Sequence, residues 1–421
     1  MAKSMIFFSM HYPFHFTDSY LDEEINYLAS QFDQLIIVSS NTHSKSQREI
    51  PKNAVLLRFN PFNEVSKMAS VTSIFSPFFW KEISLLKKKY HLKLNTSLLK
   101  ELVLNLNRIK CIEKYIDKIW VDYQLEKNEV LIYTYWFLEA ASATAFYKNK
   151  SHKKFNFISK AHSQEIYFFR NYYNYQPYKF QTFEACDKMF FISEDGLKYF
   201  AEAHKLSHEQ KKKLEINRIG VVGIDSFIPS RNDNVLKLVS IAWLHKLKRI
   251  ELIVDALAQL PHINIEWIHL GSSIDEPYTN KLNLHIENKI GKSTNIKYTF
   301  CGETNKREMK EIFEKNKFDF LINVSETEGI PVSMMEAASF SVPLFGTNVG
   351  GVSEIIEHHK NGYLFSPNPS AEEIAQTIEK FYSLSLDEKN QYRNNAFLTW
   401  KHKYNVFENR QKLLESINLL M

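Results

Sequence analysis

The sequence predicts an α/β protein built on two doubly wound parallel sheets, and three observations lead there. Short apolar runs that read as buried strands recur at 20–30-residue spacing from the start of the chain. Helix-period stretches separate those runs, so the strands alternate with helices rather than with hairpin turns. The pattern breaks over residues 218–233, where Gly220, Gly223 and Pro229 fall in a segment with little periodicity, and then starts again. At 421 residues the chain has room for two domains, on a prior of ~100–200 residues each. The boundary is placed between 1–224 and 225–399.

In order, residues 4–10 read as a first buried strand and 21–32 as an amphipathic helix. Further strands are expected at 35–39, 55–59, 130–133, 155–159 and 188–193, with a helix starting at Glu194. Residues 74–122 are the least sheet-like part. Leu98, Leu102, Asn105, Ile109, Ile112, Ile116 and Ile119 there follow the 3–4 spacing of one helix face. After the break, strands are expected at 236–242, 263–270, 296–301, 318–324, 342–346 and 363–365, then helices at 371–383 and from 386 to the end. Neither half carries G-x-G-x-x-G after its first strand, which argues against a dinucleotide oxidoreductase.

Composition excludes several classes. Hydrophobic residues are 44% and charged residues 24% of the chain, as in an ordinary globular protein. The 32 Phe and 21 Tyr accompany many Lys, Asn and Ile, a codon-usage pattern rather than a binding signal. Cys111, Cys186 and Cys301 are isolated, without metal spacing, so a reducing compartment and no structural zinc are expected. No stretch is apolar for 18 residues, and the N-terminus lacks a cleavage site, so a cytoplasmic or peripheral protein is expected. Net charge is +5, and residues 81–120 alone hold ten basic and four acidic residues. That basic segment lacks any nucleic-acid recognition motif, so no nucleic-acid partner is expected.

The most informative stretch is 320–336, FLINVSETEGIPVSMME. An apolar strand runs into a polar loop, and Gly329, Ile330 and Pro331 then open a helix. Strand, turn and helix start together form an anion-binding corner at the carboxyl edge of a sheet. Glu328 and Glu336 frame it, eight residues apart, roughly 80° past two full turns if both were helical. Ionised carboxylates accept several hydrogen bonds each and suit hydroxyl-rich ligands.

With its flanking sequence SFSVPLFGTNVGGVSEII, this paired-glutamate stretch resembles that of the retaining GT-B glycosyltransferases of family 4. The opening PFHFTDSYLDEEINYLASQFDQLIIVSS is similar to polysaccharide-assembly members, although their glycine-rich first turn is here 11–18 without Gly. The resemblance implies two Rossmann-like domains facing across a cleft. The acceptor belongs to 1–224 and the nucleotide sugar donor to 225–399, and a C-terminal helix of about 400–421 returns to the first domain. It further implies that Glu328 lies against the donor sugar and Glu336 binds the ribose. Lys248 would offset the pyrophosphate with help from Arg249, and His162 in SKAHSQEIYFF would reach the sugar's outer hydroxyls. Gly302 and Glu303 would seat the base, and Gly329, Ile330 and Pro331 the donor. Trp243 stands where relatives have an Arg five residues before that Lys, and Lys160 where an Arg is usual.

The implied reaction moves a sugar from a nucleoside diphosphate to an acceptor hydroxyl with retention, without a metal or other cofactor. The acceptor would be a glycan or lipid-linked glycan of surface polysaccharide synthesis, and residues 75–118 would meet an anionic membrane surface on its inner face. Trp243 and the glycine-free turn favour a second reading, a catalytically silent sugar-nucleotide-binding subunit. A sugar-nucleotide epimerase would need acid/base carboxylates that the sequence does not place.

Overall fold

The computed structural model describes residues 1–14, 21–41, 43–44, 47–64 and 73–421. The chain forms two compact units, Met1–Arg218 with Arg410–Met421, and Ile219–Asn409. Part of the first turn, 15–18, lies outside the described residues.

The first unit carries seven strands: β1 Lys3–Ser9, β2 Gln34–Ser39, β3 Ala54–Arg58, β4 Glu129–Thr134, β5 Asn156–Ala161, β6 Lys188–Phe191 and β7 Leu214–Ile216. They pair parallel throughout, in the order β3-β2-β1-β4-β5-β6-β7. Sequences such as KSMIFFS and EVLIYT are buried along nearly their whole length because helices cover both faces of the sheet. β7 is not foreseen from the sequence. At three half-buried residues it is too short to show a period.

The helix Thr96–Asp122 starts on Asn95, whose side chain accepts from the Leu98 N–H at 2.8 Å. Its buried stripe is Leu98, Leu102, Leu106, Ile109, Ile112, Ile116 and Ile119. Leu106 takes the place expected for Asn105, and the stripe is core, packed with Phe146, Tyr178 and Phe183.

The second unit carries β8 Val235–Ile241, β9 Asn264–Leu270, β10 Ile296–Phe300, β11 Phe320–Asn323, β12 Leu344–Thr347 and β13 Gly362–Phe365. These too pair parallel, in the order β10-β9-β8-β11-β12-β13. The order reverses between β8 and β11, since β9 and β10 go to one side and β11 to β13 to the other.

The single helix expected from 386 onward is broken. Leu386–Thr399 ends in a π-helical turn, Trp400–Tyr404, and Val406–Asn418 follows. The loop at Val221 explains the break, because its N–H donates to the Tyr404 carbonyl at 2.9 Å and its carbonyl accepts from Trp400 Nε1 at 3.0 Å. Beyond the break, Leu413, Leu414 and Ile417 join the core of the first unit beside Met5, Phe7 and Ile25.

Candidate active site

In an open α/β sheet, ligands bind beyond the carboxyl ends of the strands where the order reverses. In the second unit that place is bounded by the loops after β8 and β11. The chain leaves β8 through Trp243 and makes a short 3₁₀ turn, Lys246–Lys248, capped by His245. Arg249 follows with φ of 50°, which re-aims the chain into the helix Ile250–Leu257. The two loops are stitched together, since the Glu326 N–H donates to the Leu247 carbonyl at 2.8 Å. Arg249 holds the same seam: its guanidinium donates to the carbonyls of Val324, Ser325 and Pro367 at 2.6, 3.0 and 3.1 Å. Asn368 Oδ1 takes a fourth bond at 3.1 Å. Arg249 is therefore a brace, with most of its five N–H donors already engaged.

That seam brings Lys248 Nζ to 2.6 Å from Glu328 Oε1, with Asn323 Nδ2 donating to the same oxygen at 3.2 Å. Trp243 is 51% exposed and supplies no cation there. The loop after β12 closes on the same corner. The Gly351 N–H donates to the Gly329 carbonyl at 2.7 Å, and Gly350 has φ of 53°. A Cβ on Gly350 would stand 2.0 Å from the Glu328 carbonyl oxygen, and one on Gly351 2.5 Å from Ile330 Cγ1. Glycine is required at Gly350 on both counts.

Pro331 caps the helix Val332–Ser339, so Glu328 lies in the loop and Glu336 little more than one turn into the helix. The helical angle drawn from the sequence does not apply, because the eight intervening steps are not all helical. Burial pushes the Glu336 carboxyl up to about 7, against the pull of Lys306. No hydrogen-bond donor reaches that carboxylate among the described residues. Gly302, at φ of 71°, and Glu303 follow β10, and the Gly302 carbonyl accepts from the Gly271 N–H at 2.8 Å. Glu303 lines a cavity of about 410 Å³ with Cys301, Thr304, Glu308 and Lys315.

In the first unit His162 stands directly beyond β5, 5% exposed. Its ring lies 4.1 Å from the Trp136 ring and 4.9 Å from the Tyr135 ring, centroid to centroid. Glu165 Oε1 is 3.4 Å from its Nδ1. Lys160, fully buried, ion-pairs with Glu24 at 2.7 Å and so joins β5 to the helix Leu21–Ala29. Among the described residues no group of three or more His, Cys, Asp or Glu side chains could hold a metal ion.

Residues 223–399 match the family of glycosyl transferases group 1. The chain is 26% identical over 265 residues to the GtfA subunit of a Streptococcus gordonii UDP-N-acetylglucosamine–peptide N-acetylglucosaminyltransferase, covering 60% of this chain and 47% of that one. It is 24% identical over 196 residues to the Escherichia coli O-antigen biosynthesis glycosyltransferase WbnH, covering 45% and 51%. The chain thus spans about half the length of these curated relatives. Anabaena HepE, solved in complex with UDP, superposes with a TM-score of 0.66 at 14% identity over 99% of this chain and 100% of that one. The fold is GT-B, with two Rossmann-like domains.

Within the second unit the structure gathers Lys248, Arg249, Glu328, Gly329, Ile330 and Pro331 at one strand edge, with Glu336 on the helix that follows. Sequence reasoning missed Asn323, which shares Glu328 with Lys248, and Lys306, whose charge acts on Glu336. In the first unit it missed Trp136 and Glu165. An acid three residues after His162 was a signal available in SKAHSQE.

Proposed function

We propose that the protein transfers a sugar from a nucleoside diphosphate sugar to an acceptor hydroxyl, with retention and without a metal. The acceptor in this reading is a lipid-linked saccharide of surface polysaccharide synthesis. The observation that carries it is the Lys248–Glu328 pair at the β8/β11 edge of a group 1 domain. A diphosphate arriving there competes for the ammonium, a point charge that stabilises the departing pyrophosphate. Glu328, released from Lys248, accepts hydrogen bonds from the sugar's hydroxyls. Glu336, with no donor on it among the described residues, takes the ribose hydroxyls, and the Gly302–Glu303 loop takes the base.

The first unit serves the acceptor, and in this reading the role of His162 is to hydrogen-bond sugar hydroxyls. Retention by double displacement would need a carboxylate beneath the anomeric carbon. Glu328 is already committed to hydroxyls, so a same-face route is the reading adopted: the acceptor oxygen bonds to the anomeric carbon as the phosphate leaves, and the acceptor proton passes to that phosphate. The name of the E. coli relative and the UDP held by HepE support the substrate class.

Among the described residues no helix is long and apolar enough to cross a membrane. We place the protein on the inner face of the cell membrane, through exposed Phe75 and Trp80 and the basic residues beside them.

The test is a panel of nucleotide sugars, with released nucleoside diphosphate followed by mass spectrometry and product configuration by anomeric coupling. Selective hydrolysis of one donor and a retained anomer are expected. Binding of a donor without turnover on any acceptor would favour the silent subunit, the reading that Trp243 in place of a cation points to.

A further inference from the structure

Glu165 is a buried carboxylate that the proposed chemistry leaves unused. The chain leaves β5 at Ala161, passes His162 and makes the four-residue helix Ser163–Ile166, which returns Glu165 to the side of the imidazole. Glu165 is 2% exposed. Its Oε1 accepts from the Phe137 N–H at 3.2 Å and lies 3.4 Å from His162 Nδ1, while Oε2 has no hydrogen-bond partner among the described residues. Lys179, also buried, donates from Nζ to the carbonyl of the same Phe137. The backbone after β4 is thus gripped at Phe137 N–H by Glu165 and at Phe137 C=O by Lys179. Trp136, one residue earlier, packs against the His162 ring at 4.1 Å.

The charged groups around this carboxylate come from four elements. His162 and Glu165 follow β5, Lys179 opens the helix Lys179–Ala185, Glu139 opens the helix Glu139–Lys150, and Arg108 of the helix Thr96–Asp122 pairs with Glu139 at 3.3 Å. Burial alone would raise the Glu165 carboxyl, but the adjoining His162 and then Lys179 prevail and hold it below its ordinary value. Lys179 in turn is pushed down to about 8 by burial, against the pull of Glu165 and Glu139.

Which imidazole nitrogen carries the proton is set by what the other groups offer each of them. Neither ring nitrogen has a hydrogen-bond partner among the described residues, but Nδ1 faces the ionised Glu165 carboxylate and Nε2 faces no charged group. At 3.4 Å the contact is long for an N–H···O bond. The carboxylate nevertheless favours the proton on Nδ1, because among the described residues no acceptor on the Nε2 side competes for it.

We infer that Glu165 is the positioning residue of His162: its carboxylate holds the imidazole with the proton on Nδ1 and leaves the Nε2 lone pair free to accept a ligand hydroxyl. The use of that lone pair by a donor sugar rests on the function proposed above; the tautomer itself does not. A second proton on Nε2 would convert the acceptor into a donor.

The experiment is nitrogen NMR on full-length protein carrying ¹⁵N-labelled histidine, with the His162 signals assigned by their loss in His162→Gln. The wild type should show Nδ1 protonated and Nε2 unprotonated at pH 8. Glu165→Gln, nearly isosteric, should shift the population toward the proton on Nε2, and Glu165→Asp should restore the wild-type pattern. In parallel, hydrolysis of UDP-glucose and UDP-N-acetylglucosamine is measured as probe reactions. Turnover should fall on the order of tenfold in Glu165→Gln, with recovery in Glu165→Asp. A wild-type proton on Nε2, or a tautomer that Glu165→Gln leaves unchanged, overturns the inference whatever the hydrolysis shows. A tautomer that responds while hydrolysis of a turned-over donor stays the same supports the inference and removes His162 from the donor site instead.

Discussion

Lys248 and Glu328 neutralise each other at 2.6 Å, so removing either alters the other. Lys248→Ala should lower transfer ~100-fold, as loss of one donor to a developing anion does. Steady-state turnover with the identified donor checks it, and a rate within about twofold of wild type would favour the silent subunit. Glu336 gives a pH dependence. Its carboxyl sits at about 7, above the ordinary carboxylate value, so the stability linked to its protonation is complete well below that ordinary value. That contribution is lost as pH rises through about 7. Ribose hydroxyls need the ionised form as acceptor, so nucleoside diphosphate affinity should rise through the same window and level off above it. Calorimetric titration across that range should show the step in wild type and none in Glu336→Gln. The two glutamates were legible in the sequence because their flanks read as strand and helix start. Arg249 was read as a phosphate cation because sequence shows its charge but not the three carbonyls that occupy it.

Among the elements, the strands were the most legible. A buried parallel strand is a continuous apolar run, and β1, β2, β8 and β9 each end within a residue or two of the sequence reading. What stayed hidden depended on tertiary contact: β7, and the π-helical turn that Val221 imposes on the last helix. The loop after β12 lies between these cases. Gly350 and Gly351 stood out in the sequence as permitting close approach, and the structure supplies the partner, the Glu328–Gly329 backbone. Gly350→Ala therefore meets a left-handed φ, costing ~1–2 kcal/mol, and a Cβ 2.0 Å from a carbonyl oxygen. Scanning calorimetry should show a fall of several degrees in the unfolding of the second unit. Donor affinity should fall with it, since the Gly351–Gly329 bond cannot form at the displaced loop. An unfolding temperature unchanged to within a degree would mean that the loop is free to move aside.

At the scale of the molecule, both doubly wound sheets could be read from the sequence. The surface was less legible, because an amphipathic pattern shows that one face is apolar and not what covers it. The stripe from Leu98 to Ile119, read beside the basic segment as a candidate membrane face, is core. Phe79 is buried, and Phe78 stacks on Phe146 with centroids 3.8 Å apart. Phe75 and Trp80 remain, 81% and 58% exposed. The helix Pro77–Lys88 carries exposed Lys87 and Lys88, and Lys93 follows it, also exposed. Lys89 lies 3.8 Å from the centre of the Phe180 ring and is half-buried, so it is a poor probe of this surface. Aromatic side chains insert at the headgroup boundary, and each nearby Lys adds ~1 kcal/mol on an anionic leaflet. On the membrane reading proposed above, the excess of ten basic over four acidic residues in 81–120 would attract such a leaflet. Co-sedimentation with vesicles containing phosphatidylglycerol should show binding that weakens from low to high salt, with little on neutral vesicles. Lys87→Glu, Lys88→Glu and Lys93→Glu together should abolish it. Trp80→Ala with Phe75→Ala should leave a weaker attachment, removed entirely by salt, because only the charges then hold. Binding to neither vesicle type at low salt would mean that these residues do not form a membrane face.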